Sequence, residues 1–288
     1  MDWQAGPATL HMFKRVTIIG LGLIGGSLGL AIRERRLAEE IIGVSRRQST
    51  IRKAMSLGVV DRVTLDIKEG VCGSDFVILT APVLTIIEIA KRIKGVLKKG
   101  VIVTDAGSTK YDVVKNIEAI FPNGASFVGS HPLAGSEKSG LNFVNKDLFK
   151  DAYCLLTKTP NTDSKAFKKI KIFWRRIGMR VVSMNAKQHD KIISKISHLP
   201  HAVSASLSNT CRGIDLSLAA GGFKDTTRIS SGSPELWKDI FLTNRKNLAR
   251  DINMLKKELS KLETALIRGD EKKILYFLKK AKGVRDSV

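Results

Sequence analysis

Through the first 185 residues, short apolar runs alternate with amphipathic stretches; beyond them only helical periodicity remains. The runs fall at 14–19, 41–44, 76–80 and 101–104, each of strand length and several rich in β-branched residues, with a shorter one at 127–128. Between them, 26–37, 49–57, 83–97 and 110–121 place apolar residues at helical spacing. Two more strand-like runs, 152–157 and 180–183, flank a basic helical stretch at 164–178. Strands alternating with helices predict an α/β domain with a doubly wound, mostly parallel sheet. After Asn185 the pattern predicts one long helix over 186–211 with Pro200 inside it, a second over 236–267 and a third over 271–282. In the second, Ile240, Leu248, Ile252, Leu255, Leu259, Leu262 and Leu266 recur on one side. The domain boundary is therefore expected near Asn185. Residues 14–185 would form a dinucleotide-binding domain and 186–288 an all-helical substrate and dimerisation domain. Residues 1–13 stay unassigned: Met1 to His11 carry no pattern, and Met12 offers an alternative start. Amphipathic helices this long need a partner surface, which predicts a homodimer.

The first strand runs into Gly20-Leu21-Gly22-Leu23-Ile24-Gly25 and then a helix. Strand, GxGxxG and helix in that order is the context a dinucleotide site requires. The first glycine permits the turn, the second admits the pyrophosphate, and the third lets helix and strand pack closely. An NAD site usually places an acid about 20 residues further on, for the ribose hydroxyls. Here the second strand is followed by Ser45-Arg46-Arg47-Gln48-Ser49-Thr50, with no carboxylate. An acid would repel a 2′-phosphate, whereas Arg and Ser would bind it, so NADP is expected and NAD stays open. The cofactor candidates are Gly20, Gly22, Leu23, Ile24, Gly25, Ser45, Arg46, Arg47 and Thr50, with Thr80 and Pro82 after the strand at 76–80.

A second Gly- and Ser-rich segment follows the strand at 127–128: Gly129-Ser130-His131-Pro132-Leu133-Ala134-Gly135-Ser136-Glu137-Lys138-Ser139-Gly140. Such a loop can hold the His131 imidazole at the mouth of a pocket as a base titrating near neutrality. His189, near the start of a helix, reads as a surface residue, and His11 lies in the unassigned leader. His198 and His201 are three apart, share a helix face, and are pocket candidates. No cysteine or carboxylate stands at ligand spacing beside these histidines, so no metal is expected. The segment Gly221-Gly222-Phe223-Lys224-Asp225-Thr226-Thr227-Arg228 reads as a loop between helices, whose Lys224 and Arg228 suit a substrate carboxylate.

Composition changes little. Hydrophobic residues make up 43% and no apolar run is long enough for a membrane span. No hydrophobic signal core opens the chain, and the three cysteines are far apart, so a reducing cytoplasm is the expected compartment. The net charge of +22 is dispersed and lacks interleaved aromatics, which favours a basic solvated surface over nucleic-acid binding.

Five motifs follow one another along the chain: GLGLIGGSL; Thr104-Asp105-Ala106-Gly107-Ser108-Thr109-Lys110; SHPLAGSEKSG; SHLPHAVSASL; and GGFKDTTRISSGSPELW. With them the chain resembles the prephenate/arogenate dehydrogenases of tyrosine biosynthesis from about Lys14 onward. The resemblance implies a nucleotide-binding domain, a helical dimerisation domain and an active site between them. It implies a reaction as well, the oxidative decarboxylation of a cyclohexadienol. It implies that His131 accepts the proton of the ring hydroxyl, that Ser108 orients that pair, and that Arg228 binds a substrate carboxylate. Ser136 and His201 would lie in the substrate pocket, Glu137 would pair with Arg228, and Trp237 would form a wall. It further implies prephenate as substrate, through His201, with arogenate as the alternative. A β-hydroxyacid-type dehydrogenase is less favoured, because the interdomain helix offers Ser197, His198 and His201 where that class wants Lys or Asp. The chain continues only briefly past its last predicted helix, so a C-terminal regulatory domain is not expected.

Overall fold

A computed structural model describes residues 11–121, 124–211, 213 and 216–287. Most of the unassigned leader lies outside the described residues. Phe13, left out of the expected domain, is the first residue of a strand, and Met12 and Phe13 N–H groups both donate to the Leu37 carbonyl.

Six parallel strands form the main sheet: β1 (Phe13–Ile19), β2 (Ala38–Val44), β3 (Arg62–Thr64), β4 (Phe76–Leu79), β5 (Val101–Asp105) and β6 (Ala125–Val128). Their order is β3-β2-β1-β4-β5-β6, so the chain reverses direction across the sheet between β1 and β4. That point is where doubly wound sheets open a ligand crevice at the strands' carboxyl ends. The three residues of β3 are too few for a period to show in the sequence.

The helices α1 (Leu23–Glu34), α2 (Gln48–Ser56), α3 (Ile67–Val71), α4 (Val83–Ile93) and α5 (Tyr111–Ile120) connect these strands. On one face Phe13 stacks on Phe76 at 4.5 Å between ring centres, packed with Leu28 and Ile32 of α1. On the other, Val77 and Leu79 pack on Ile86, Ile93, Val113 and Ile117. Each fully buried side chain of this size contributes about 1.5–3 kcal/mol.

At Gly129 the chain leaves the main sheet for a second one. There β7 (Ser130–Pro132) runs antiparallel to β8 (Tyr153–Thr157), and β9 (Arg180–Met184) runs parallel to β8 after the crossover helix α6 (Ser164–Arg176). The expected active-site loop thus begins as a strand. Its Ser130 Oγ accepts from Trp174 Nε1 of α6 and is bonded to Thr104 Oγ1 of β5, which ties the two sheets together.

All described elements beyond β9 are helical: α7 (Ala186–Ile193), α8 (Leu199–Thr210), α9 (Gly221–Thr227), α10 (Pro234–Thr243), α11 (Arg245–Ile267) and α12 (Glu271–Arg285). The single helix expected over 186–211 is broken by a wide π turn at Ser194–His198. Pro200 has no N–H to give the Ile196 carbonyl, so the regular ladder is lost there. The helix expected over 236–267 breaks at Asn244, whose side chain is spent on tertiary contacts. The glycine-rich segment expected as a loop is instead α9, followed by a 3-10 turn at Arg228–Ser231. Among the described residues no helix is long and apolar enough to cross a membrane.

Candidate active site

The glycine turn sits at the crevice. Gly20 has φ of 108°, open only to a residue without Cβ, and its carbonyl accepts from Thr80 Oγ1 at 2.6 Å. Thr80 therefore braces the turn. A Cβ on Gly25 would lie 2.1 Å from the Gly20 oxygen, so helix and strand touch there. A Cβ on Gly22 would instead meet nothing within 4 Å. Gly22 caps α1, which has no acid in its first turn, so the open space lies against unpaired N–H groups at a positive helix end. Leu23 and Ile24 begin that helix, and Pro82 caps α4 across the crevice. Beyond β2, Ser45 accepts the Arg47 N–H, Arg46 and Arg47 are exposed, and Thr50 is half-buried in the first turn of α2. The residues present fit a dinucleotide: an open phosphate cradle and, past β2, cations without an acid.

Beside the crevice is a cavity of about 610 Å³ between the strand ends and the helical domain. Ser108, His131, Ser136, Glu137, His198, Arg228 and Trp237 all line it. Its loop reaches the cofactor turn: a Cβ on Gly135 would lie 3.9 Å from Ile24 Cδ1. Arg228 Nη1 donates to Glu137 Oε2 at 2.8 Å, joining α9's end to the loop after β7. The two other predicted pocket residues stand apart. Lys224 is exposed on α9 and does not line the cavity. His201 lies behind the wall, its ring stacked on Trp237 at 3.6 Å and 10°.

His131 is buried, not poised at an open mouth. The hydrogen bond the structure gives it runs to another histidine: Nδ1 lies 2.9 Å from Nε2 of His189. His189, expected at the surface, has no exposure at all, and its Nδ1 donates to Asp190 Oδ1 at 2.8 Å. The Asp190 carboxylate also accepts the backbone N–H groups of Lys110 and Tyr111, and so closes the start of α5. Beneath lies a fully buried ion pair, Lys110 with Asp105, and Asp105 Oδ1 accepts the N–H of Ser130 next to His131. Asn244 Nδ2 donates to the Asp190 carbonyl and lies 3.1 Å from His198 Nδ1. With Nδ1 accepting, His198 carries its proton on Nε2, a buried nitrogen without a partner in a residue that lines the cavity.

Burial pushes the His131 pKa well below that of a free imidazole, helped by His189, Lys110 and His198 nearby. The base expected to titrate near neutrality is neutral to lower pH than that. Burial likewise lowers His189 and His201, and pulls His198 down to about 4. Of these groups the sequence reading missed His189, Asp190 and Asn244. The signal available for the first two was a helical stripe, Ala186, His189, Asp190 and Ile193, with polar residues in core positions. Among the described residues, no group of three or more His, Cys, Asp or Glu side chains is placed to hold a metal.

A glycine turn at the crevice of a doubly wound sheet, beside a cavity lined by a buried histidine and an arginine paired with Glu137, is the architecture of a nicotinamide-dependent oxidoreductase. The chain belongs to the prephenate dehydrogenase family: the family's nucleotide-binding domain matches residues 28–183 and its dimerization domain residues 185–280. It is 34% identical to the prephenate dehydrogenase of Bacillus subtilis over 96% of this chain and 77% of that one. The structure is similar to that of A. aeolicus prephenate dehydrogenase in complex with hydroxyphenyl propionate and NAD+, with a TM-score of 0.90 at 34% identity, covering 98% and 99% of the two chains. It is also similar to Synechocystis arogenate dehydrogenase, with a TM-score of 0.80 at 30% identity over 95% and 99%.

Proposed function

We propose that the chain converts prephenate to 4-hydroxyphenylpyruvate and CO2 with NADP as the oxidant. The observation that carries this is the convergence of His131, Ser108 and Arg228 on one cavity beside the glycine turn. The A. aeolicus relative is known with a phenol bearing a carboxylate side chain; here His131 and Arg228 offer a base for the ring hydroxyl and a cation for the side chain. Arg228 takes the side-chain carboxylate in exchange for Glu137, by the bidentate fork that suits it. His131 accepts the C4 hydroxyl proton while Ser108 orients the hydroxyl. A bound nicotinamide supplies the acceptor for the hydride leaving C4. The carbinol carbon becomes a carbonyl conjugated with the ring. The ring then takes the electron pair released as the C1 carboxylate departs as CO2, and His131 returns its proton to the phenolate oxygen. Aromatisation drives the step, and the ring itself is the electron sink.

NADP is favoured over NAD by the absence of a carboxylate after β2 and the exposed Arg46 and Arg47 there. Arogenate is the second reading, favoured by the likeness to the Synechocystis enzyme. We further propose a homodimer through α11 and α12, where Ile267, Tyr276 and Val284 are exposed to 80%, 71% and 65%.

The test is the absorbance of the reduced cofactor formed with each pairing of prephenate or arogenate with NADP or NAD. Turnover highest with prephenate and NADP is expected. Higher efficiency with NAD would overturn the cofactor assignment, and turnover of arogenate alone the substrate assignment. His201→Val is expected to weaken prephenate use more than arogenate use, through the Trp237 wall it supports; equal effects would remove His201 from selectivity.

A further inference from the structure

The buried chain His131–His189–Asp190 runs away from the reacting atoms, and the reaction proposed above leaves His189 and Asp190 without a role. Its chemistry is determined by its far end. Asp190 Oδ1 and Oδ2 accept from the backbone N–H groups of Lys110 and Tyr111, at 2.7 and 3.0 Å, so the carboxylate is fixed against the first turn of α5. It presents only an acceptor to His189 Nδ1, 2.8 Å away. The proton of neutral His189 therefore sits on Nδ1, because the other tautomer would set a lone pair against an anionic oxygen. Its Nε2 is then an acceptor. Facing it at 2.9 Å, His131 Nδ1 must be the donor. That leaves the lone pair of His131 on Nε2, the nitrogen free of the chain.

We infer that His189 and Asp190 are positioning residues that set the tautomer of His131, so that Nε2 is the base, and that hold the proton's charge while His131 carries it. The logic is that of a serine-protease triad, where a buried carboxylate fixes an imidazole's tautomer and stabilises its cation. Here a second imidazole stands between the base and the carboxylate. When Nε2 accepts the hydroxyl proton, the Nδ1–H of His131 shifts toward His189 Nε2, and the His189 Nδ1–H toward Asp190. When the phenolate forms, the same bonds shift back and Nε2 gives the proton up, so nothing is consumed. The Lys110 side chain is paired with Asp105, and Asp190 keeps its own acceptor for His189. His198 is held separately by Asn244. The arrangement also joins the domains, because α7 brings His189 and Asp190 while β7 and α5 bring their partners.

The inference rests on the proposed reaction, and the test separates the two. Long-range proton–nitrogen correlation spectra of protein with 15N-labelled histidine report each ring's tautomer without substrate. Signals are assigned by their loss in His131→Asn and His189→Phe. Both rings are expected to carry the proton on Nδ1. In kinetics, His189→Phe fills the same space without a ring nitrogen. It is expected to lower kcat about 10- to 100-fold, within the range of general-base effects, with KM for prephenate and affinity for NADPH within about threefold. A wild-type His131 protonated on Nε2 would overturn the inference, as would a folded His189→Phe variant with kcat within twofold of wild type. If that variant does not fold, the tautomer spectra decide. Wild-type protein that turns over neither prephenate nor arogenate, with the tautomers as expected, would sink the proposed reaction and leave the chain's geometry standing.

Discussion

His131 and His198 line the cavity, His189 and His201 lie behind it, and burial favours the neutral form of all four. For His131 this means readiness as a base below the ordinary imidazole range. The acid limb of kcat/KM for prephenate is therefore expected below pH 6.5, and a limb at or above 7 would contradict it. His131→Asn should cut kcat by about 10²- to 10⁴-fold and leave NADPH binding nearly intact. Arg228→Ala should act on KM instead, because its ion pair with Glu137 gives way to the substrate carboxylate; an unchanged KM would place that carboxylate elsewhere. The two glycines of the turn should separate cleanly. Gly25→Ala puts a methyl 2.1 Å from a backbone oxygen and 2.7 Å from Thr80 Oγ1, and is expected to lower the melting temperature. Gly22→Ala meets open space and is expected to fold normally while weakening NADPH binding, measured by the cofactor's fluorescence. At this scale His131 and Arg228 stand out in the sequence because Gly-rich context and charge mark them, and Glu137 enters only through the family resemblance. His189 and Asp190 do not, because their burial depends on what packs over α7.

The elements follow the hydrophobic pattern where the pattern is long and fail where one residue interrupts it. β1, β4 and α4 through α6 lie within a few residues of the stretches their periodicity predicts. The interrupted helices differ. Pro200 opens the π turn that carries Ile196, Ser197 and His198 to the cavity. Asn244 ends α10 with φ of −117° and spends its amide on Asp190 and His198, while Asn247 donates to its oxygen. Asn244→Ala would leave the Asp190 carbonyl and His198 Nδ1 unpaired in the interior. The expected cost is about 1–3 kcal/mol in urea unfolding. A loss under about 0.5 kcal/mol would show that the helix can run on through the site without harm. Nothing in the periodicity forecasts these breaks, because each is settled by a side chain's tertiary partners.

At the scale of the whole molecule, the neutral histidines make stability depend on pH. A histidine with a lowered folded pKa binds its proton more readily in the unfolded chain. Stability should then be full above about pH 6.5 and fall as pH drops toward 4, where His198 titrates. His198 alone accounts for roughly 3 kcal/mol across that window. Melting temperatures from pH 4 to 8 test it; a flat profile would mean the rings are solvated. The exposed apolar side chains of α11 and α12 belong to the same scale, and sedimentation at micromolar concentration should show a dimer of 31.6 kDa chains.

Taken alone, the sequence determined what short-range physics can encode: the alternating sheet domain, the helical half and the glycine turn. Strand and helix periods repeat within a few residues, and a glycine's backbone freedom is its own. Only the tertiary structure decided which distant groups meet. His131 and His189 are 58 residues apart and Glu137 and Arg228 are 91 apart, yet each pair lies within 3 Å. Such contacts arise because the fold brings distant segments together, burying the two histidines against each other and setting the arginine beside the glutamate at the cavity rim, and the partner's identity is written at neither position by itself.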